Sequence, residues 1–371
     1  MNVQIALLGN SFAKKVQVPA LRWANANGAP NEIMSLAGHD AAKATATATE
    51  CGIPYATSTW EKAIDESIVG SLDLVIVSTP VDLHAPMVRA IIERTNADIL
   101  CEKPFAMDGD EARVLRDLAK GRLALIDHQT RWSPWRRAFA REVRAQRCGR
   151  PWLARVQMQL ASRARVEAPF SWWYDAERGG GVLGALASHM LDGVLDQFGE
   201  RIAQVEARLI THVPEREGSD GTSHGVTADE TALLWCTLES GLELQLETSI
   251  LAFGSERDAG RGVLMELRGS QGTLRLEGET ELVFCGLDGK CSGVELNAEP
   301  LATPGELGMP DYGFFGRCLP YYLRDVLKTI ARGETNLRAA ASFDDAVHVM
   351  DVLDAARKSS REGRRVEVRQ D

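Results

Sequence analysis

The chain opens on an apolar run, Val3 to Leu8, interrupted by Gln4 and closed by Gly9. A run so short and nearly continuous is the pattern of a strand buried on both faces. The segment after it, FAKKVQVPALRWANANG, predicts a helix. The couplet then recurs: EIMSLAG before AAKATATATECG, LDLVIVSTP before HAPMVRAIIERTN, ADILCEKP before GDEARVLRDLAKG, with LALIDHQ as a further strand. Repeated strand–helix units wind right-handed into an open parallel sheet with helices on both faces. Ligands of such sheets bind at the carboxyl ends of the strands. The positions of interest are therefore Gly9–Ala13, Gly38–His39, Ser78–His84, Glu102–Pro104 and His128–Arg131.

Near residue 150 the rhythm changes. WLARVQMQLAS, AQVEARLITHV, TALLWCTLES, LELQLETSIL, VLMELRGSQ and GTLRLEG alternate apolar with polar residues imperfectly, but evidently in LELQLET, and are joined by turns such as ESG and SQG. This predicts a mostly antiparallel sheet with one buried face. GALASHMLDGVLDQFG predicts a helix early in this region, and FGRCLPYYLRDVLKTIARG and FDDAVHVMDVLDAARKSSREG predict two more at the end. The polar stretch 214–225, PEREGSDGTSHG, reads as a mobile loop.

Composition narrows the classes. A chain of 371 residues exceeds one typical core, so two domains are expected. A net charge of −10 disfavours a nucleic-acid backbone or an anionic membrane as partner. No stretch reaches the ~20 apolar residues of a membrane span, and the N-terminus lacks the features of a signal peptide. The seven cysteines contain no C-x-x-C and read as reduced thiols of a cytoplasmic protein, although Cys285 and Cys291 could meet across a hairpin. No histidine or cysteine spacing suits a metal, and no G-x-S-x-G elbow occurs.

Three stretches could carry chemistry. In LLGNSFAKK, Gly9 allows a tight turn, and the amides at the following helix start could face a pyrophosphate. Ser11 and Ala13 permit close approach, and Lys14 or Lys15 could add charge. An ordinary strand–helix turn accounts for the loop equally well. In ILCEKPFAMD, a strand delivers Glu102 and Lys103 to the sheet edge before Pro104, a residue that admits a cis bond. A desolvated lysine there could polarise a substrate oxygen and share its proton; a surface Glu–Lys pair is the alternative. In WWYDAERGGGVLGALASHMLD, three glycines precede a helix carrying His189, a group able to exchange protons near neutral pH. Asp192 could orient it, and a buried core histidine is the simpler alternative.

In this order and spacing, the stretches resemble the glucose–fructose oxidoreductase, inositol dehydrogenase and rhizopine-catabolism (Gfo/Idh/MocA) oxidoreductases. GNSFAKKVQVPAL is similar to the family's first loop and helix, STPVDLH to its T-P-x-x-x-H segment, and CEKPFAMD to its E-K-P signature. HQTRWSP is similar to its R-x-x-P stretch, GGGVLGALASHMLD to its G-G-G…H-x-x-D segment, and FDDAVHVMDVLDAARKSSREGRRVEV to its closing helix and strand. The resemblance implies an α/β protein: a doubly wound Rossmann domain over 1–127 and an α+β domain over 128–371 with a large, mostly antiparallel open sheet. The final helix has the option of packing back on the first domain.

It further implies NAD(P)-dependent hydride transfer to or from a sugar, polyol or related carbonyl compound. Lys103 and His189 correspond to the catalytic pair. Gly9, Ser11, Phe12, Ala13, Gly38, His39, Ser78, Thr79, Pro80, His84, Glu102 and Lys103 would hold the cofactor; Arg131, Trp173 and Asp192 are weaker substrate-side candidates. A homodimer or homotetramer through the large sheet is expected.

Two departures stand out. Ala185 occupies the place of an acidic residue four before the histidine. LAGHD offers Gly38 and His39 where an acid usually binds the adenosine ribose. Loss of that acid removes repulsion against a 2′-phosphate and tilts the expectation toward NADP, while Asp40 could still serve NAD. A non-catalytic dinucleotide sensor and an NAD-dependent glycoside hydrolase of the same family are the alternative functions.

Overall fold

A computed structural model describes residues 1–254 and 262–370. The first strands are β1 (Val3–Leu8), β2 (Asn31–Ala37), β3 (Tyr55–Thr57), β4 (Leu74–Val77), β5 (Asp98–Cys101) and β6 (Ala124–Ile126). There follow β7 (Pro151–Gln159), β8 (Ile202–Ile210), β9 (Glu215–Glu217), β10 (Ser223–Gly225), β11 (Thr231–Leu238) and β12 (Glu243–Ser249). The remainder are β13 (Val263–Gly269), β14 (Gly272–Glu277), β15 (Glu281–Gly286), β16 (Cys291–Gly293), β17 (Ala341–Ser342) and β18 (Val366–Glu367).

By its contacts the chain divides into two units, Met1–Trp132 with Leu301–Val347, and Ser133–Pro300 with His348–Asp371. The sequence suggests a single boundary near residue 127; the segment Leu301–Val347 joins the first unit because its helix Gly313–Ala331 is amphipathic. Leu319, Tyr322, Leu323 and Val326 on that helix bury against a cluster that includes Val16, Leu21 and Ala24 of the N-terminal helical segment and Ile5 and Leu7 of β1.

The first unit holds a seven-stranded sheet in the order β17-β6-β5-β4-β1-β2-β3. All neighbours run parallel except the β17–β6 pair. β4 reads LVIV and is buried at every position, as expected of a strand covered by helices on both faces. The chain winds outward in both directions from β1, so a crevice opens between the carboxyl ends of β1 and β4. β3 has no counterpart in the sequence reading. It is three half-buried residues long, too short for a period to show.

The second unit holds a nine-stranded sheet, β16-β15-β14-β13-β7-β12-β11-β8-β18. Its pairs are antiparallel except β7–β12. Along β11, Ala232, Leu234 and Cys236 are buried while Leu233 and Trp235 face outward, the alternation of a half-buried sheet.

Two sequence readings change here. The stretch 214–225 is not a mobile loop but a hairpin, β9–β10. Its Arg216 is 2% exposed, bonds Glu230 at 2.7 Å, and lies 4.4 Å from the Tyr174 ring centroid. Nor are all the cysteines reduced: the β15–β16 register sets Cys285 opposite Cys291, and they form a disulfide. Cys51, Cys101, Cys148, Cys236 and Cys318 form no disulfide. Among the described residues, no helix is long and apolar enough to cross a membrane, and no group of three His, Cys, Asp or Glu gathers as a metal site.

Candidate functional site

In the first unit, the residue just past each central strand stands on one edge: Gly38, Gly9, Ser78, Glu102 and Asp127 after β2, β1, β4, β5 and β6. Each extends the ladder by one bond. Gly9 N–H donates to Ala37 O (2.9 Å), Ser78 to Leu8 O (2.7 Å), Glu102 to Val77 O (2.8 Å) and Asp127 to Cys101 O (2.8 Å). Neighbouring strands lie about 4.8 Å apart, so Gly9 and Lys103 are separated by roughly two strand spacings.

Gly9 has φ +125°, and a Cβ there would lie 2.3 Å from Ser78 O. The β1–β4 crevice is therefore open only to glycine at this position. The following segment rises through a π-helical turn, Ala13–Gln17, into the helix Val18–Ala26. Ser11 is exposed, Phe12 half-buried and Ala13 buried. Lys14 pairs with Glu50 at 2.6 Å. Two residues that sequence reasoning passed over belong to this loop. Gln17 accepts a hydrogen bond from Ser78 Oγ (3.2 Å), while its Nε2 is buried without a partner. Asn10 packs 2.8 Å from where a Cβ of Gly38 would stand, and its Oδ1 is likewise buried without a partner. Buried amide atoms left in this way suit a ligand's hydroxyl or phosphate oxygens.

At the end of β2, His39 is exposed and Asp40 is committed locally. Its carboxylate accepts from Lys43 N (3.0 Å) to cap the helix Ala41–Cys51, and Lys43 Nζ lies 3.5 Å away.

His84 ties the β4 edge to the β5 edge. It is fully buried, with Nε2 3.0 Å from Thr79 O and Nδ1 3.0 Å from Pro104 O. Burial pushes its pKa down, against the pull of the two carbonyls. Pro80 precedes the turn that leads to His84. The Lys103–Pro104 bond is cis. The helix that follows starts at Gly109 because Asp108 accepts from Glu111 N at 2.8 Å.

Lys103 is half-buried at this edge. Loss of solvent lowers its pKa; the charges of Glu102 and Asp127 act in the opposite sense. Asp127, 1% exposed, had no role in the sequence reading. Its signal was present: like Glu102, it is an acid one residue past an apolar strand. Arg131, 7% exposed, approaches Asp345 at 3.4 Å.

In the second unit, the glycine triplet is seated by Asp229. Its Oδ2 accepts from Leu183 N (2.7 Å), its carbonyl accepts from Val182 N (3.0 Å), and a Cβ on Gly181 would stand 2.4 Å from its Oδ1. A π-helical turn, Leu183–Ala187, leads into the helix Ser188–Phe198, which carries His189 and Asp192, 2% and 0% exposed. Such turns interrupt helices frequently at functional sites. Ala185 lies half-buried in that turn. Trp173 is half-buried, its carbonyl accepts from Gly181 N (3.0 Å), and Arg163 sits 4.5 Å over its ring.

Residues 3–126 match the oxidoreductase family with an NAD-binding Rossmann fold, and residues 137–275 match the GFO/IDH/MocA C-terminal domain. The chain is 24% identical to the levoglucosan dehydrogenase of Pseudarthrobacter phenanthrenivorans over 97% of its own length and 96% of that protein's. It is 25% identical to the D-apiose dehydrogenase of Paraburkholderia graminis, covering 98% of this chain and 89% of that one. Its fold superposes on a levoglucosan dehydrogenase solved with NADH and L-sorbose, with a TM-score of 0.84, 24% identity and 100% of both chains covered.

Proposed function

The chain belongs to the GFO/IDH/MocA family of NAD-binding oxidoreductases, and on that premise we propose that it oxidises or reduces a sugar, polyol or related hydroxy-carbonyl compound with Lys103 as the proton-exchanging group. The carrying observation is the edge that runs from the Gly9–Ser78 crevice to Lys103 on adjacent parallel strands. The likeness to dehydrogenases named for levoglucosan and D-apiose supports the substrate class.

The first unit is assigned the cofactor and the second the choice of substrate. Gly9, Asn10, Ser11, Phe12, Ala13 and Gln17 would line the pyrophosphate and adenosine side. Ser78, Thr79, Pro80, Glu102 and Lys103 would line the nicotinamide side, with His84 holding that edge together. A bound nicotinamide supplies the hydride acceptor or donor. The chain's own part is to fix the reacting hydroxyl and move its proton. Desolvation favours the neutral amine of Lys103, which can take a hydroxyl proton on oxidation and return it on reduction. His189 serves as a second proton-exchanging group. Trp173 offers a partly exposed ring to the substrate, whereas Arg131 and Asp192, both buried, act in support.

NADP is assigned over NAD, since Asp40 is held as a helix cap and Lys43 places a cation beside it. The outward Leu233 and Trp235 of β11 are the assigned contact of a homodimer or homotetramer, and a cytoplasmic setting is supported by five cysteines outside any disulfide, with the Cys285–Cys291 disulfide pointing the other way.

The test is Lys103→Ala, with turnover measured on a panel of sugars and polyols and dinucleotide affinity by fluorescence titration. Turnover should fall ~10²–10⁴-fold, with dinucleotide affinity within about threefold of wild type. Undiminished turnover refutes the role of Lys103. Tight dinucleotide binding by the wild-type protein without turnover across the panel favours a sensor instead.

A further inference from the structure

Strands β5 and β6 run parallel with Cys101 opposite Ile126, so the next residues, Glu102 and Asp127, stand side by side and point to the same face of the sheet. Asp127 is 1% exposed. Glu102 Oε1 and both carboxyl oxygens of Asp127 are buried without a close hydrogen-bond partner among the described residues, while the backbone N–H groups of Lys103 and Gln129 act more weakly on Glu102 and Asp127. The two carboxyls nevertheless lie within hydrogen-bonding reach of each other. An ionised carboxylate can only accept. Two of them in contact, out of water, would repel while keeping the full desolvation penalty of both. One proton between them turns that repulsion into a hydrogen bond.

We infer that Glu102 and Asp127 hold one shared proton and together form a single-charge counter-ion that sets the charge state of Lys103, with Asp127 as a positioning residue. The inference rests on the reading of Lys103 as the proton-exchanging group.

Cys101 and Lys103 act on the pair, and His84 acts on Lys103. Cys101 is fully buried and its thiol is pushed far up, so it stays neutral. His84 is pushed down by burial and adds no charge at neutral pH. Lys103 interacts with both acids. Burial raises both carboxyls, Asp127 the more, which favours retention of the shared proton. One negative charge then stands behind the lysine. It offsets part of the desolvation that would otherwise leave the amine neutral, and keeps its proton affinity nearer the range where it can both take and return a proton.

The experiment is competitive labelling of Lys103 with trace acetic anhydride from pH 5 to 11, read by mass spectrometry on the full chain. The proteins are wild type, E102Q, D127N and the double variant. An amide side chain stands in for a protonated carboxyl, so either single variant retains one charge. Its Lys103 midpoint should stay within about 0.3 pH unit of wild type, while the double variant should fall by about one unit or more. A purely structural role would move no midpoint. Single variants that each shift about half as far as the double show two charges and overturn the inference; so does a single variant that shifts as far as the double, which puts the whole charge on one acid, and so does a double variant that does not shift.

Should the double variant fail to fold, carboxyl ¹³C NMR titration of the wild-type protein decides. One proton retained by the pair above pH 7 supports the inference; both acids titrating below pH 5 overturns it. Neither readout needs turnover, so Lys103→Ala retaining full activity would refute the functional reading and leave the pair standing.

Discussion

Gly9→Ala probes the crevice directly. The added methyl would lie 2.3 Å from Ser78 O, 2.7 Å from Ser78 Oγ and 2.8 Å from Ser78 C. Real contacts of this kind stop near 3.0 Å, so the ends of β1 and β4 must part by 0.7 Å, the difference from 2.3 Å, or the loop must leave φ +125°. Parting is resisted because Ser78 N–H donates to Leu8 O at 2.7 Å. The disallowed backbone costs about 1–3 kcal/mol, and overpacking a rigid contact adds about 1–3 kcal/mol. The expected loss is therefore ~2–6 kcal/mol. Gly52→Ala is the control: φ is +64° and nothing lies within 4 Å, so only the left-handed backbone is strained, at roughly 1–2 kcal/mol. Urea unfolding gives the stability difference, and fluorescence titration with NADH and NADPH gives affinity. Gly9→Ala should lose at least ~1 kcal/mol more than Gly52→Ala, and its dinucleotide affinity should drop at least tenfold. Equal destabilisation in the two variants, or unchanged affinity in Gly9→Ala, would refute the argument from close approach.

Three further outcomes are expected. Burial raises the Asp98 carboxyl to about 6, so its ionisation opposes folding as pH climbs from the unfolded value of about 4 through 6. Asp98→Asn should match wild type near pH 4 and exceed it by roughly 1 kcal/mol at pH 8, after allowance for solvent screening; an advantage that shrinks with rising pH would contradict this. Glu230→Gln removes the counter-charge of Arg216, whose side chain is 0% exposed and otherwise donates only to neutral groups such as the carbonyls of Arg165 and Val166, and should cost ~3–5 kcal/mol in chemical denaturation; a loss below ~1 kcal/mol would mean that water reaches the arginine. Asp229→Ala removes the acceptor of Leu183 N–H and should cost ~1–3 kcal/mol. It should also lower kcat ~10–100-fold by displacing the His189 helix. Asp229→Asn, which keeps an acceptor oxygen, should restore most of kcat, and equal kcat in the Ala and Asn variants would argue against that role.

The regular elements were legible because their periods are local. VQIALL and LVIV are nearly continuous apolar runs, ELQLETS alternates, and each was placed from its own residues. β3 was not legible, because three half-buried residues carry no period. The hairpin 215–225 was misread for a different reason. Its residues are polar, and what orders it is Arg216 reaching Glu230 on the far side of the intervening loop. Cys285 and Cys291 were visible as a possible cross-hairpin pair, yet only the β15–β16 register sets them opposite each other.

By itself, the sequence determined the alternation of strands and helices, the glycine after β1, the lysine after β5 and the histidine after the glycine triplet. Each depends on residues within a few positions of one another. Only the tertiary structure decided that Glu102 and Asp127 are neighbours, that Asp229 seats Gly181 and Leu183, and that Asn10 lies against Gly38. Those pairings span from 25 to more than 40 positions along the chain. They follow from strand order and register, which hydrophobic burial across the whole sheet selects and no local pattern encodes.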